Sequence, residues 1–199
     1  MISRKPSTAK QVSIIATCAA LYAIFFLLSY SITLPNFTLL YLPIILLGVF
    51  PMWFGWSGLA GSIIGAFIGG TFVEGLGFLG VFEVVVAVVI YLINWTLIPQ
   101  KAAEDGKKKS LILLWGVYAL SLFVGSGYII WQYTVLPQLF ATTQAIAIFV
   151  PTFGLNLPIV WITCPALIRA ISPKLRAWGI YTGNLREWLN PRQSTLKQQ

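Results

Sequence analysis

Long apolar stretches separated by short polar punctuation divide the chain. A helix needs roughly 20 mainly apolar residues to cross a hydrocarbon core of about 30 Å. Stretches that meet or approach this length occupy residues 12–33, 39–50, 57–72, 78–98, 111–135 and 142–171. The second is short, and Pro51 and Gly55 either break one span or separate two. The third is rich in glycine, and the last carries Pro151, Pro158 and Pro165, which predict kinks. The pattern predicts an all-α, polytopic membrane protein. A single six-transmembrane-helix bundle fills residues 1–199, with residues 173–199 as an interfacial tail. The first span is too long, and lacks the small-residue cleavage site, for a removable signal peptide.

Composition agrees. Of 199 residues, 58% are hydrophobic and 9% charged, whereas a soluble domain carries about 45–50% apolar and about 25% charged residues. Lys and Arg favour the cytoplasmic side of a membrane. Here they form three groups: Arg4, Lys5 and Lys10; Lys101 and Lys107 to Lys109; and Arg169, Lys174, Arg176, Arg186, Arg192 and Lys197. These are all 13 basic residues of the chain. With six spans the groups share one side, and the loops of the other side hold none. The expectation is a multi-pass cell-membrane protein with both termini cytoplasmic. The net charge of +8 is then mostly topological. A nucleic-acid partner is not expected, because no basic helix or aromatic platform lies outside the spans. Residues 173–190 mix Lys174, Arg176 and Arg186 with Trp178, Tyr181 and Trp188, the pattern of a segment lying on anionic lipid.

The residue inventory removes several chemistries. The chain has no His, so Ser–His and Cys–His pairs and an HExxH zinc site are excluded. No GxxxxGK[ST] loop is present, so this chain does not hydrolyse ATP by that route. Cys18 and Cys164 both lie in apolar runs and read as small buried hydrophobes. No cofactor, metal or catalytic residue is expected.

One acidic residue stands apart. Glu83 falls about five residues into the fourth span, ~8 Å below its outer end. A carboxylate at membrane depth costs several kcal/mol and normally faces a cavity or a partner. Other polar and aromatic groups are expected at the same depth. Tyr128, Trp131, Gln132 and Tyr133 end the fifth span, and Gln144, Thr152 and Asn156 lie along the sixth. Tyr128, Trp131 and Gln132 are three and four apart, hence neighbours on one helix face. Pro158 lacks an amide hydrogen and frees the Gly154 carbonyl. These residues together form a candidate outward-facing pocket of the mixed kind that binds small molecules. The competing reading for Trp131 and Tyr133 is an interfacial aromatic belt.

Two faces of small residues bear on packing. Ala16 and Ala20, and Ala19 and Ala23, are each four apart in the first span, and Gly61, Gly65 and Gly69 make a GxxxGxxxG row in the third. Small residues let helix backbones approach closely in lipid. The glycine row reads as internal packing. The alanine face is either internal or a docking surface for another membrane subunit.

These features resemble the S components of energy-coupling factor (ECF) vitamin transporters. The paired AxxxA spacing is one element of the likeness. The run from Leu42-Pro43 through Gly48, Phe54-Gly55 and Gly58 to Gly65 is similar to that family's IPxxLxGxxxGPxxGxxxGxxG region, with Trp56 where many members have Pro. The plan of some 200 residues in six spans is the third. The resemblance implies a substrate-capturing subunit that imports a vitamin or related nutrient. It would work with a membrane coupling subunit and two cytoplasmic ATPase subunits. It implies docking of the coupling subunit on Ala16, Ala19, Ala20 and Ala23, and a vitamin site near the outer face that agrees with the pocket above. Within it, Glu83 would act as counter-ion or acceptor and Trp131 would stack on a ring. A cationic aromatic such as thiamine suits that pair, while flavins and queuosine precursors stay open. Two other readings compete: a membrane sensing or assembly module that binds a partner protein, and a membrane enzyme acting on lipid with Glu83 as acid or base.

Overall fold

The computed structural model describes residues 7–31, 33–34, 37–38, 40–74, 78–99, 107–135 and 142–189. They form helices α1 (Thr8–Ser31), α2 (Pro43–Glu74), α3 (Phe78–Leu97), α4 (Lys108–Val135) and α5 (Thr142–Ala177), and a short α6 (Leu185–Leu189). Between α1 and α2, β1 (Thr33–Leu34) and β2 (Phe37–Thr38) pair antiparallel, with Thr33 opposite Thr38. Five of the helices are long and apolar enough to cross a membrane. Large apolar side chains also cover the outside, among them Ile24, Leu28, Phe72, Phe123 and Ile162. A helix that is apolar on its outer face as well as its inner one belongs in a lipid environment. The chain is therefore a helical protein of membrane type.

The count of long helices is five because residues 39–50 and 57–72, expected as two spans, fall in one continuous element, α2. That element is not straight. Gly55 interrupts it with φ 51° and ψ −127°, a conformation essentially confined to glycine. Eight residues of straight helix span about 12 Å, yet a Cβ built on Gly58 would stand 3.1 Å from the Phe50 carbonyl oxygen. The helix is folded back on itself. Residues 45 and 53 follow Cys164 and Ser172 along α5, whereas Gly61, Gly65 and Gly69 follow Cys18, Ala19 and Phe26 along α1.

Several interruptions of the helical ladder meet a donor from elsewhere in the chain, as backbone in lipid favours. The fold at Gly55 frees the Met52 and Trp53 carbonyls, which accept the Gly183 and Thr182 amides at 2.9 and 3.1 Å. The Tyr91 hydroxyl donates to the Gly55 carbonyl. Pro51 has no N–H for the Leu47 carbonyl four residues back, and Asn94 Nδ2 donates to that oxygen at 3.1 Å. Pro165 likewise frees the Trp161 carbonyl, and Trp115 Nε1 donates to it at 3.0 Å. Trp161 Nε1 returns the bond to the Trp115 carbonyl at 3.0 Å, with the two indoles stacked at 5.6 Å. α5 stays one helix through its four prolines and runs six residues beyond the expected span, to Ala177. It ends at Gly179 (φ 64°), where Gly179 N–H donates to Arg176 O and Ile180 N–H to Leu175 O. This paired closure is the standard way a helix stops at glycine.

The glycine row packs inside the protein. Side chains at Gly61, Gly65 and Gly69 would run into Cys18, Ala19, Tyr22 and Phe26 of α1. This splits the alanine face expected to dock a partner. Ala19 is 6% exposed and Ala23 is also buried, both turned inward, while Ala16 and Ala20 remain exposed. All four lie within an arc of roughly 100° on one face of α1, Ala19 and Ala23 on its buried edge and Ala16 and Ala20 on its exposed edge.

The start of α1, the end of α3 and the segment after α5 meet at one end of the bundle. Lys10 Nζ donates to the Trp178 carbonyl at 2.6 Å, and Asn184 Nδ2 donates to the Ile98 carbonyl at 3.4 Å. The β pair and the starts of α3 and α5 lie at the other end.

Candidate functional site

Polar groups are rare in the interior, so their positions carry information. Near the end that holds the β pair, three helices aim polar atoms at one residue, Tyr41, which lies two residues before α2. From α5, Asn156 Oδ1 accepts the Tyr41 N–H at 2.8 Å. From α3, Glu83 Oε2 accepts the Tyr41 hydroxyl at 3.4 Å. From α1, the Tyr22 hydroxyl lies 2.7 Å from the Tyr41 hydroxyl. Ser29, also on α1, accepts the N–H of the next residue, Leu42, at 2.8 Å.

Local structure explains each position. Tyr22 belongs to the inward face of α1 with Cys18, Ala19 and Phe26, and the missing side chains of Gly61 and Gly65 give it room. Ser29 also donates to the Phe25 carbonyl one turn back at 2.8 Å, which fixes its oxygen toward Leu42. Asn156 Nδ2 donates to the Thr152 carbonyl at 2.7 Å, so its amide oxygen points away from the α5 axis. Pro43 prevents the helix from beginning earlier with its own amide, and Pro43 starts α2 where proline is tolerated. Tyr41 and Leu42 precede the helix, so their amides lie outside its ladder and are held by side chains.

Glu83 is 5% exposed, and its Oε2 accepts from the Tyr41 hydroxyl. Thr152 Oγ1, one turn before Asn156, is buried without a hydrogen-bond partner. Buried polar atoms are nearly always paired, so Thr152 adds an unused hydrogen-bonding atom beside the amide network.

The expected site residues separate into groups. Glu83 and Asn156 come together through Tyr41, which bonds to both. Tyr128 and Trp131 form a second group with Phe82: the ring centroids are 6.0 Å apart for Phe82 and Tyr128 and 5.8 Å for Tyr128 and Trp131. Trp131 is 46% exposed, so this ladder flanks the buried network at the rim. The side chains of Gln132, Tyr133 and Gln144 lie outside the described residues. Tyr41, Tyr22 and Ser29 were missed by sequence reasoning. Tyr22 and Ser29 are seven residues apart, two turns of α1 on one face, and that spacing was the available signal. Tyr41 had no such signal.

Among the described residues no group of His, Cys, Asp or Glu is arranged to hold a metal ion. Comparison of the chain with family models, with curated proteins and with solved structures finds no match.

Proposed function

We propose that this chain is the substrate-capture subunit of an ECF-type importer for a vitamin or related small nutrient, with separate ATPase subunits supplying the energy. In this reading the two arms of α2 cross the membrane separately, giving six crossings. The end bearing the basic residues faces the cytoplasm, and the Tyr41 network faces outward in the cell membrane. The observation that carries the reading is the convergence of Glu83, Asn156 and Tyr41 at 5% or less exposure for the first two and 2.8–3.4 Å spacing. A buried carboxylate beside an amide and an unpaired hydroxyl is an expensive arrangement in a membrane protein and marks a substrate pathway by default.

The ligand takes the place of Tyr41. Tyr41 lies on the connection between α1 and α2, outside both helix ladders, so its side chain can withdraw by a change in that connection. A cationic or hydrogen-bond-donating ligand then pairs with Glu83, its amide-like edge with Asn156, and Thr152 Oγ1 gains a partner. Phe82, Tyr128 and Trp131 offer ring faces at the rim for a flat ligand or a cation. Ala16 and Ala20, exposed on α1, are the residues offered to the membrane coupling subunit.

The reading is tested by affinity purification of the tagged chain from its own membranes in mild detergent. A membrane subunit and two ATPases are expected to copurify, and Ala20→Trp to abolish their recovery. Recovery that is identical with Ala20→Trp removes the docking role. Absence of ATPases from the unaltered sample contradicts the assignment to this class.

A further inference from the structure

At the end of the bundle opposite the Tyr41 network, a cavity of about 360 Å³ opens on α5, lined by Ile168, Arg169, Ser172, Pro173 and Arg176. Two arginines thus line one small hollow. Arg169 and Arg176 are seven residues apart, two turns of helix on one face. Arg176 lies over the Tyr181 ring at 4.5 Å, which orients the guanidinium from the chain segment beyond α5. Ser172 Oγ accepts the Trp53 Nε1–H at 3.0 Å, which anchors the floor of the cavity to α2.

The same helix face continues in the other direction at the same spacing, as Ile162 and Leu155. Both are exposed, Ile162 by 71%. One stripe of α5 therefore passes from bare apolar side chains to a pair of arginines enclosing a hollow. Trp178, exposed just past the arginines, marks headgroup depth by the usual preference of tryptophan for the membrane interface. We propose that this stripe is a binding site for an anionic phospholipid, with the phosphate held by Arg169 and Arg176 and an acyl chain lying on Ile162 and Leu155. Guanidinium groups favour phosphate because their forked N–H donors match its oxygens. A free phosphate ion would use the arginines but leave the apolar stripe without purpose, and the continuity of the two favours the lipid. This site is independent of the nutrient reading and requires only that α5 lie in a bilayer.

The test is native mass spectrometry of the full chain in detergent, titrated with phosphatidylglycerol or with phosphatidylcholine of the same acyl chains. The unaltered protein is expected to retain phosphatidylglycerol in roughly tenfold preference. Arg169→Gln/Arg176→Gln is expected to lose that preference, while Lys108→Gln/Lys109→Gln, altered in exposed cations of α4, keeps it. Circular dichroism and gel filtration establish that the arginine variant is folded; if it is not, each single Arg→Gln variant is expected to lose part of the preference. Equal loss in the lysine variant would reduce the site to diffuse surface charge and overturn the proposal. Displacement of the lipid by excess inorganic phosphate, or no preference in the unaltered protein, would overturn it as well.

Discussion

Tyr41 and Asn156, 115 residues apart in the chain, are joined by a hydrogen bond of 2.8 Å from a backbone amide to a side-chain oxygen. The bond ties the segment before α2 to the middle of α5 without using either residue's helix ladder. Asn156→Leu removes the acceptor and keeps the volume. Hydrogen exchange at the Tyr41 and Leu42 amides should then quicken, by about tenfold or more for a bond worth roughly 1.5 kcal/mol. Exchange within α1 should change little. Protection of Tyr41 that is unaltered would mean that Ser29 and the hydroxyl pair hold the segment alone.

The fold-back at Gly55 makes a sharper demand. Its backbone excludes other residues, and a Cβ there would also press on Thr182 and Trp95. Gly55→Ala should destabilise the protein by about 2 kcal/mol or more, read as a lower melting temperature in detergent. Gly116→Ala is the matched comparison, because nothing lies within 4 Å of a Cβ at that position. It should be neutral or raise stability by about 0.5–1 kcal/mol, since alanine suits a helix interior better than glycine.

The glycine row gives a related test of helix contact. Gly65 has the backbone oxygen of Ala19 2.6 Å from a would-be Cβ, and backbone cannot step aside as a side chain can. Gly65→Val should separate α1 from α2 at a cost of about 1–3 kcal/mol. Gly127→Val, in open space on α4, should cost less than 1 kcal/mol. Thermal unfolding followed by tryptophan fluorescence distinguishes them.

Where a proline frees a carbonyl and a side chain serves it, the two changes should compensate. Trp115→Phe strands the Trp161 carbonyl and should cost about 1 kcal/mol. Pro165→Ala restores a helical N–H to that carbonyl. In the double variant the loss from Trp115→Phe should shrink, giving a coupling of about 0.5–1 kcal/mol in a double-mutant cycle. Strict additivity would show that the indole contributes through stacking rather than through its N–H.

The sequence announced the membrane character and most of the helix positions because uniform apolar runs have a single physical solution in lipid. Phe78–Leu97 almost coincides with its expected span. The GxxxGxxxG row was legible for the same reason: small residues at four-residue spacing make a groove, and α1 fills it. The fold-back was half legible. Pro51 and Gly55 signalled a break, but a proline alone does not say that the freed carbonyls will be capped by Gly183 and Thr182, more than 120 residues on. Glu83 and Asn156 were legible as costly polar groups in an apolar setting. Tyr41 was not, because a tyrosine two residues before a proline in a connecting segment has no periodicity, and its importance arises only when three helices meet around it. The alanine face could not be divided in advance, since Ala16/Ala20 and Ala19/Ala23 have identical spacing and only the position of α2 distinguishes them.

Ligand retention by the purified protein tests the central claim most directly. Native mass spectrometry of the unaltered chain, produced in vitamin-replete medium, should show a small-molecule adduct. Glu83→Gln, which keeps the shape and removes the charge, should lose that adduct while its melting temperature in detergent stays within a few degrees. An adduct retained equally by Glu83→Gln, or a bare mass for the unaltered protein under those conditions, would contradict a nutrient site under Tyr41.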